Sequence, residues 1–340
     1  MSFIQIKKSG IIFSYTKKDL ENMRAIFNKY HYIKLPGLLN PRLLKSIQYQ
    51  LDQDEFYEDR YKVGKDKATG FLPKNKNITS LLHFLVNDQK LFQLIKDITT
   101  CSHIGCFTGR VYSKIPGLGQ YDLWHDDLSD NRMISMSINL SKDIYSGGVL
   151  QIFNCKSKKI IHEVGNTGFG DAIIFRISPN LKHRVTKVIG NVTRTTFTGW
   201  FRSKPDYKPI FKALVKYRQS AVKANSQKTN LAFLGNSTLT INRGLYYRNH
   251  EKRMLIFSPE NTVCYGLDPI GAKILNLLQQ PMTMTKILDT IHKEYEVESS
   301  KCEQDILSLL IELSSSGLIT VDKNVTTSRD LMLGLTGEKT

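Results

Sequence analysis

The feature that most constrains the fold is a series of short apolar segments between about residues 104 and 203, each followed by a turn. Residues 134–138 alternate apolar and polar side chains, as a half-buried strand does. Pairs such as Pro116-Gly117 and Gly147-Gly148 mark the turns. Short antiparallel strands in such a run predict a two-sheet jelly roll. The candidate strands are 107–113, 133–140, 149–153, 159–163, 172–177, 183–189 and 195–202.

A helical stretch precedes these strands. Two helices are predicted within 17–52, where apolar residues recur at intervals of three and four and Pro36-Gly37 separates the two runs. A further helix is expected at 88–99. Residues 53–77 are polar and rich in lysine, a composition typical of a mobile loop or lid.

Four polar residues in the strand region point to a metal-dependent chemistry. His125 and Asp127 follow the first predicted strand with one residue between them, so both can face one ion from an extended turn, and His183 opens a late strand. Two neutral imidazoles and one carboxylate bind Fe(II) on one face and leave coordination positions open. Arg194 belongs to the next strand, where its guanidinium would hold a distal carboxylate through two hydrogen bonds. We interpret the set as the site of an enzyme that uses iron, oxygen and a keto acid.

Two other interpretations of these residues remain open at this point. The histidines would also suit a structural role, hydrogen-bonded inside the barrel. A zinc or manganese hydrolase would use the same three ligands, but it would not need Arg194.

Several segments carry a family resemblance in matching order over residues 105–203. They are Arg110-Val111-Tyr112, Trp124-His125-Asp126-Asp127, Tyr145-Ser146-Gly147-Gly148, His183-Arg184-Val185 and Arg194 with Trp200-Phe201. The region resembles prolyl-4-hydroxylase-like 2-oxoglutarate/Fe(II) oxygenases. The resemblance implies a double-stranded β-helix, Fe(II) and 2-oxoglutarate as cofactors, and decarboxylation of 2-oxoglutarate to succinate coupled to hydroxylation of a substrate.

The same resemblance implies further contacts with the cosubstrate. A tyrosine on the strand before the metal ligands and a polar residue on the following strand fill that role in the family, and Tyr112 and Asn139 match them. Thr196 alternates with Arg194 along one strand and is expected on the same face. Tyr112 and Asn139 equally fit positions in the barrel core.

The last third of the chain predicts a separate small module. Strands are expected at 238–241, 245–248, 254–258 and 262–265, and three helices follow, the first opened by Asp268-Pro269 and the third by a capping box at 300–303. The fold class is therefore α+β: a jelly roll with N-terminal helices, plus a small C-terminal winged-helix-like domain. The predicted divisions are 1–203, a basic linker at 204–235, the module at 236–322 and a flexible tail at 323–340.

This module resembles the PqqD-like recognition element that captures leader peptides of ribosomally made precursor peptides. The matching segments include Thr262–Leu267, Ile287-Leu288 and Asp305-Ile306. The resemblance implies that a peptide lies between an edge strand and the third helix, adding a strand to the sheet. The expected peptide-binding residues are Ile256, Val263, Cys302, Asp305, Ile306 and Leu309, although each apolar one also suits the module's core.

Charge divides the chain unevenly. Residues 1–235 hold 37 basic and 18 acidic residues, whereas residues 236–340 hold 11 and 13. The acidic balance of the last part argues against a DNA-binding winged helix, since phosphate contact is mainly cationic. The basic excess of the first part would attract an acidic partner, or it is a solvated lysine-rich surface.

Compartment and membrane association are also constrained. Five cysteines form an odd number without CxxC spacing, which indicates reduced thiols in a cytoplasm. The N-terminus has no apolar signal region, and the longest apolar runs, such as 306–313, are too short for a membrane span.

Together these patterns and the two resemblances imply a cytoplasmic Fe(II)- and 2-oxoglutarate-dependent hydroxylase that modifies a side chain of a precursor peptide held by its leader. We expect that peptide as the partner, rather than a membrane or nucleic acid. The alternative is an oxygenase acting on a cellular protein or on nucleic acid, with the last module as a generic interaction domain. A non-enzymatic binding protein is the remaining option, and the intact set of four site residues argues against it.

Overall fold

The computed structural model describes residues 3–63, 66–118, 120–128, 131–165, 168–204, 237–250, 253–259, 263–267, 269–294 and 299–323. The chain divides into two compact units, built mainly from residues 1–211 and 212–340. None of the helices in the described ranges combines the length and apolar character that a membrane span requires.

Four helices belong to the first unit. They are α1 (Lys17–Tyr30), α2 (Pro41–Asp52), α3 (Asn77–Val86) and α4 (Gln89–Thr99). A capping box starts α1, because the Thr16 hydroxyl accepts the Asp19 backbone N–H while the Asp19 carboxylate accepts the Thr16 backbone N–H. The Asn40 side chain caps α2 by accepting the backbone N–H of Arg42 at 3.0 Å, and a proline occupies the first helical position.

The strands of the first unit are mostly short. They are β1 (Ile4–Lys7), β2 (Gly10–Phe13), β3 (Tyr32–Leu35), β4 (Phe56–Val63), β5 (Asp66–Pro73), β6 (Cys106–Lys114), β7 (Arg132–Asn139), β8 (Ser146–Gly147), β9 (Leu150–Asn154), β10 (Lys159–Val164), β11 (Ala172–Arg176), β12 (Leu181–Val185), β13 (Val188–Ile189) and β14 (Arg194–Arg202).

Two antiparallel sheets organise this unit. The larger has the order β3-β11-β7-β14-β6-β5-β4, and the smaller has the order β10-β9-β12. Their inner faces share one apolar cluster, in which Leu150 and Ile152 of β9 pack with Ile173 and Phe175 of β11. A large antiparallel sheet facing a small one agrees with the predicted jelly roll.

The other face of the large sheet packs against the helices. Phe197 and Phe201 of β14 are fully buried there and contact Phe107 of β6, and Phe201 also meets Phe92 of α4 edge-on. Truncating one such phenylalanine to alanine costs about 3–5 kcal/mol. Because side chains alternate along a strand, this packing directs Arg194, Thr198 and Trp200 to the opposite face, towards the small sheet.

In the N-terminal region one prediction was wrong and one strand was not predicted. Residues 53–77 are not a loop, because β4 and β5 form a hairpin there that joins the edge of the large sheet beside β6. The break between α1 and α2 contains β3, which pairs with β11. β3 gains its strand conformation from pairing with β11, far away in the sequence, whereas β4 and β5 pair with each other locally and reach β6 through the Phe71–Ser113 pair. In both cases backbone pairing outweighs the local sequence pattern.

The part of the chain from Ser237 to Lys323 contains the predicted strands and three helices. The elements are β15 (Ser237–Ile241), β16 (Tyr246–His250), β17 (Arg253–Ser258), β18 (Val263–Leu267), α5 (Pro269–Leu277), β19 (Met282–Thr283), α6 (Met284–Glu294), α7 (Ser299–Ser315) and β20 (Ile319–Lys323). β16, β17 and β18 form one sheet in that order, and β15 lies between β19 and β20 in another. The strand that follows the third helix thus pairs antiparallel with β15. A winged-helix-like arrangement stays a prediction.

Some predicted features fall outside the described residues. These are the basic linker beyond Lys204, the capping residue Asp268 and the tail beyond Lys323. The predicted domain boundaries therefore stay predictions.

Candidate active site

The structure brings His125, Asp127 and His183 together. Their ligand atoms all lie within 4.8 Å of one another. Nε2 of His183 is 3.1 Å from Oδ2 of Asp127, and Nε2 of His125 is 3.7 Å from Oδ1. Two imidazoles and one carboxylate at this spacing form the donor set of a 2-His-1-carboxylate iron site.

Backbone pairing holds the two histidines side by side. The N–H of His125 donates to the carbonyl of His183 at 3.1 Å, and the N–H of His183 donates to the carbonyl of His125 at 2.8 Å. The ring nitrogen Nδ1 of His125 donates to the carbonyl of Leu123 at 2.6 Å. That bond fixes the ring orientation and leaves Nε2 as the ligand atom of the neutral imidazole.

The charges of the three side chains suit a divalent cation. Burial lowers the pKa of His183 more than its hydrogen bond with Asp127 raises it, which favours the neutral imidazole that a metal requires. Burial opposes the ionisation of Asp127, but the hydrogen bond with His183, the electrostatic attraction of both histidines at the low pH where the carboxyl titrates, and a hydrogen bond from Trp200 hold its pKa at about 2. Asp127 is therefore a carboxylate at neutral pH.

Asp127 has two further neighbours to which the sequence analysis gave no role. The indole Nε1–H of Trp200 donates to its Oδ2 at 2.7 Å, and Nη1 of Arg132 lies 3.5 Å from its Oδ1. Trp200 is an even number of residues from Arg194, so strand alternation alone could have placed it on the site face.

Arg194 lies on the same face of β14, with 3% of its surface exposed. Tyr112 and Tyr145 hydrogen-bond to its side chain. Its Nε and Nη1 are buried without a hydrogen-bond partner, and none of the described carboxylates forms an ion pair with it. Burying a cation without an anionic partner destabilises the folded protein, so an anion is expected beside it. The carboxylate of a bound ligand is the group that fits.

The surroundings of Arg194 are electropositive. Lys114 faces it across the β6–β14 ladder and is fully buried in an ion pair with Asp122, with 2.7 Å between Nζ and Oδ1. Burial raises the pKa of the Tyr112 hydroxyl, but the cations Arg194 and Lys114 outweigh burial and lower it. A site that draws even a phenol towards ionisation favours an anionic ligand.

One cavity of about 810 Å³ joins these groups. The three candidate metal ligands, Tyr112 and Arg194 all line it. Its apolar wall is the core cluster between the sheets, including Leu150, Val164, Ile173 and Phe175. The three candidate metal ligands and the Arg194 guanidinium, which has no anionic partner among the described residues, thus line the same cavity.

The two other predicted cosubstrate residues do not line this cavity. Asn139 is fully buried, where its amide donates to the carbonyl of Gly168 and its oxygen accepts from the N–H of Ser141. These bonds give Asn139 a structural role in holding neighbouring loops. Thr196 is also fully buried, on the same side of β14 as Arg194, and its hydroxyl has no partner.

The predicted peptide-binding residues divide by exposure. Ile256 on the middle strand β17 and Ile306 on α7 are buried, so both belong to the core. Asp305 is exposed and Leu309 is half-buried on α7, where a ligand can reach them. Val263 lies on β18 and Cys302 on α7, but their side chains lie outside the described part.

Two family models match the chain. Residues 109–202 match the 2OG-Fe(II) oxygenase superfamily, and residues 253–319 match coenzyme PQQ synthesis protein D, PqqD. The chain therefore carries a 2OG-Fe(II) oxygenase domain followed by a PqqD domain, and both resemblances predicted from the sequence are confirmed. The first match implies Fe(II) and 2-oxoglutarate as cofactors.

Solved structures include similar chains. One is an oxidoreductase of the 2OG-Fe(II) oxygenase family from Burkholderia pseudomallei, with 13% identity, 56% of this chain and 94% of that chain covered, and a TM-score of 0.43. A prolyl-4-hydroxylase from Pseudomonas putida has 16% identity, 54% and 99% coverage, and a TM-score of 0.37. TbiB1 in complex with the TbiA(beta) leader peptide has 24% identity, 24% and 93% coverage, and a TM-score of 0.23. No curated protein matches the sequence at a significant level.

Proposed function

We propose that the chain is an Fe(II)- and 2-oxoglutarate-dependent hydroxylase that modifies a side chain of a ribosomally made precursor peptide. The observation that carries the cosubstrate assignment is the buried guanidinium of Arg194, whose unpartnered nitrogens share a cavity with the three metal-binding side chains. His125, Asp127 and His183 are the iron ligands in this proposal.

The residues that line the cavity have different roles in this proposal. The three ligands hold the metal on one face, which leaves the other positions for a cosubstrate, oxygen and the approach of substrate. Arg194, supported by Tyr112 and Tyr145, binds the distal carboxylate of 2-oxoglutarate. The apolar wall around Phe175 and Ile173 excludes water from the reacting groups. Bound iron and 2-oxoglutarate would activate dioxygen, so that one oxygen atom enters a substrate C–H bond and the other enters succinate as 2-oxoglutarate loses CO2.

A peptide substrate follows from the second domain. The match to PqqD covers β17, β18 and the three helices α5 to α7. β18 is at the edge of its sheet among the described strands, and an extended peptide can add a strand at such an edge. On α7, Asp305 and Leu309 offer a charged and an apolar contact for the leader.

Because the two domains belong to one chain, peptide binding by the second domain can assist the reaction in the first. A leader bound to one domain raises the effective concentration of the attached core peptide at the iron. The basic excess of residues 1–235 would favour an acidic precursor by long-range attraction.

The proposal is tested with short peptides encoded beside the gene. Each is incubated with the protein, Fe(II) and 2-oxoglutarate, and mass spectrometry is used to look for the mass of one added oxygen atom. Leu309→Glu should weaken binding of the modified peptide without changing metal affinity, while Glu312→Ala, one turn further along α7, serves as the exposed control. Modification that is equal in the Leu309→Glu variant would contradict leader capture by α7. Oxidation of a cellular protein or of nucleic acid in place of any such peptide would favour the alternative substrate class.

A further inference from the structure

Two side chains that are not candidate metal ligands contact the carboxylate of Asp127. Oδ2 accepts the indole N–H of Trp200 at 2.7 Å, and Oδ1 lies 3.5 Å from Nη1 of Arg132. The guanidinium of Arg132 in turn stacks on the Trp200 ring, with 3.7 Å from Cζ to the ring centroid. The three side chains thus form a closed triangle of a carboxylate, an N–H donor and a stacked cation.

Asp127 needs such support because its backbone is strained. Its φ of 60° lies in the left-handed region, which non-glycine residues adopt rarely. Conformations of this kind persist where the surroundings hold them in place, and they concentrate at functional sites. Among the described residues, Trp200 and Arg132 make the contacts with the Asp127 side chain that do not involve the histidines.

A β-bulge brings Arg132 into the triangle. Trp200 pairs with Ser135 and Phe201 with Ile134, but Arg202 pairs with Arg132, so the ladder between β14 and β7 skips Met133. In a regular strand Arg132, three positions from Ser135, would point to the opposite face of the sheet. The extra residue restores it to the cavity face, where it stacks on Trp200.

We propose that Trp200, with Arg132 stacked on it, is a positioning residue that fixes the orientation of the Asp127 carboxylate towards the metal. This inference rests on the proposed function, because it assumes a metal at the three ligands. An N–H bond to a ligating carboxylate restricts its rotation and so lowers the cost of ordering it when the metal binds. Cation–π stacking stabilises the indole in the orientation in which its N–H meets the carboxylate.

The test measures binding of Co(II) alone to the purified full-length chain, in the absence of 2-oxoglutarate and substrate. Trp200→Phe keeps an aromatic face for Arg132 but removes the N–H donor. We expect the dissociation constant for Co(II) to rise by roughly tenfold to 100-fold, the range found for partners of metal ligands. The visible absorption spectrum of the bound Co(II) should also change, since the carboxylate is free to rotate.

The chain offers a matched control because it has two tryptophans. Trp124 also lines the cavity, but its ring packs on Phe153 and under Arg184 instead of bonding to a candidate ligand. Trp124→Phe should therefore keep the wild-type affinity for Co(II). In this variant Trp200 is the one remaining tryptophan, and paramagnetic Co(II) should quench its fluorescence upon binding.

Each outcome has a distinct meaning. Wild-type affinity and an unchanged Co(II) spectrum in Trp200→Phe would overturn the positioning role and leave the metal site standing. Absence of Co(II) binding by the wild-type chain would overturn the metal site and with it the proposed function. If Trp200→Phe does not fold, as judged by circular dichroism, Arg132→Gln replaces it: weaker Co(II) binding by this variant supports the role, and unchanged binding contradicts it.

Discussion

Gly148 lies directly against the side chain of Arg194. A Cβ atom added to Gly148 would be 2.6 Å from Cδ of Arg194, closer than such atoms approach in proteins, and the φ of Gly148 is 59°. Glycine is therefore required here both for its backbone conformation and for the space that the arginine occupies.

Replacing Gly148 by alanine should displace the guanidinium that we assign to 2-oxoglutarate. We expect affinity for 2-oxoglutarate, measured by calorimetry on the Mn(II)-loaded chain, to fall by about tenfold, since overpacking of this kind costs about 1–3 kcal/mol. Gly190→Ala is the control, because Gly190 has a φ of 81° but a Cβ added there meets no atom within 4 Å. Equal losses in both variants would attribute the effect to backbone strain and contradict the contact with Arg194.

Removing the Arg194 cation should act on the cosubstrate and spare the metal. Arg194→Gln deletes a charged hydrogen-bonding group worth about 1.5–3 kcal/mol, so affinity for 2-oxoglutarate should fall by roughly tenfold to 100-fold. Mn(II) affinity without 2-oxoglutarate should stay at the wild-type value. Arg202→Gln, on the same strand but outside the cavity lining, is the matched control. Unchanged 2-oxoglutarate affinity in Arg194→Gln would refute the assignment.

The pH dependence of stability should carry the signature of buried neutral histidines. Burial lowers the pKa of His83, which lies against the backbone of Gly109, below its ordinary value near 6.5. Above that value the side chain is neutral in both states. As pH falls below it, the unfolded chain binds the proton more readily, so the free energy of unfolding falls by up to about 1.4 kcal/mol per pH unit for this group.

Urea unfolding of the metal-free chain at pH 7.5 and at pH 5.5 measures this effect. His83→Gln keeps a hydrogen-bonding side chain that does not titrate, so its loss of stability over the interval should be smaller than that of the wild type. An equal loss would show that His83 does not contribute.

Two glycines let strands β6 and β14 approach each other. A Cβ on Gly199 would be 2.0 Å from the carbonyl oxygen of Thr108, and the partner of Gly199 in the ladder is Gly109. Gly199→Ala should therefore lower the free energy of unfolding by about 1–3 kcal/mol. Gly165→Ala, where a Cβ meets nothing within 4 Å, should change it little. Urea denaturation of the two variants distinguishes these outcomes, and equal stabilities would show that the strands separate at no cost.

Much of the jelly roll is visible in the sequence because its strands alternate and its turns contain glycine. The predicted segment 133–140 became β7 and 195–202 became β14 within a residue or two at either end. The four-residue β3 was missed, since it is too short to show a period and owes its conformation to pairing with β11.

The candidate site, like the fold, was predicted only in part from the sequence. Residue types and spacing predicted the meeting of His125, Asp127 and His183, and the structure brings them together. Arg132 could not be found in this way, because its direction depends on a bulge that changes the parity of β7. Asn139 shows the converse: its place beside the site was predicted, but its side chain is engaged by Gly168 and Ser141.

The most direct test of the account follows the oxygen atoms. The chain is incubated with Fe(II), 2-oxoglutarate, isotopically labelled dioxygen and a precursor peptide encoded beside its gene, and the peptide and succinate are analysed by mass spectrometry. We predict one labelled oxygen in the peptide and one in succinate for each turnover, and neither product with His183→Ala. Peptide oxygen derived from water, or turnover of 2-oxoglutarate that survives in His183→Ala, would contradict the account.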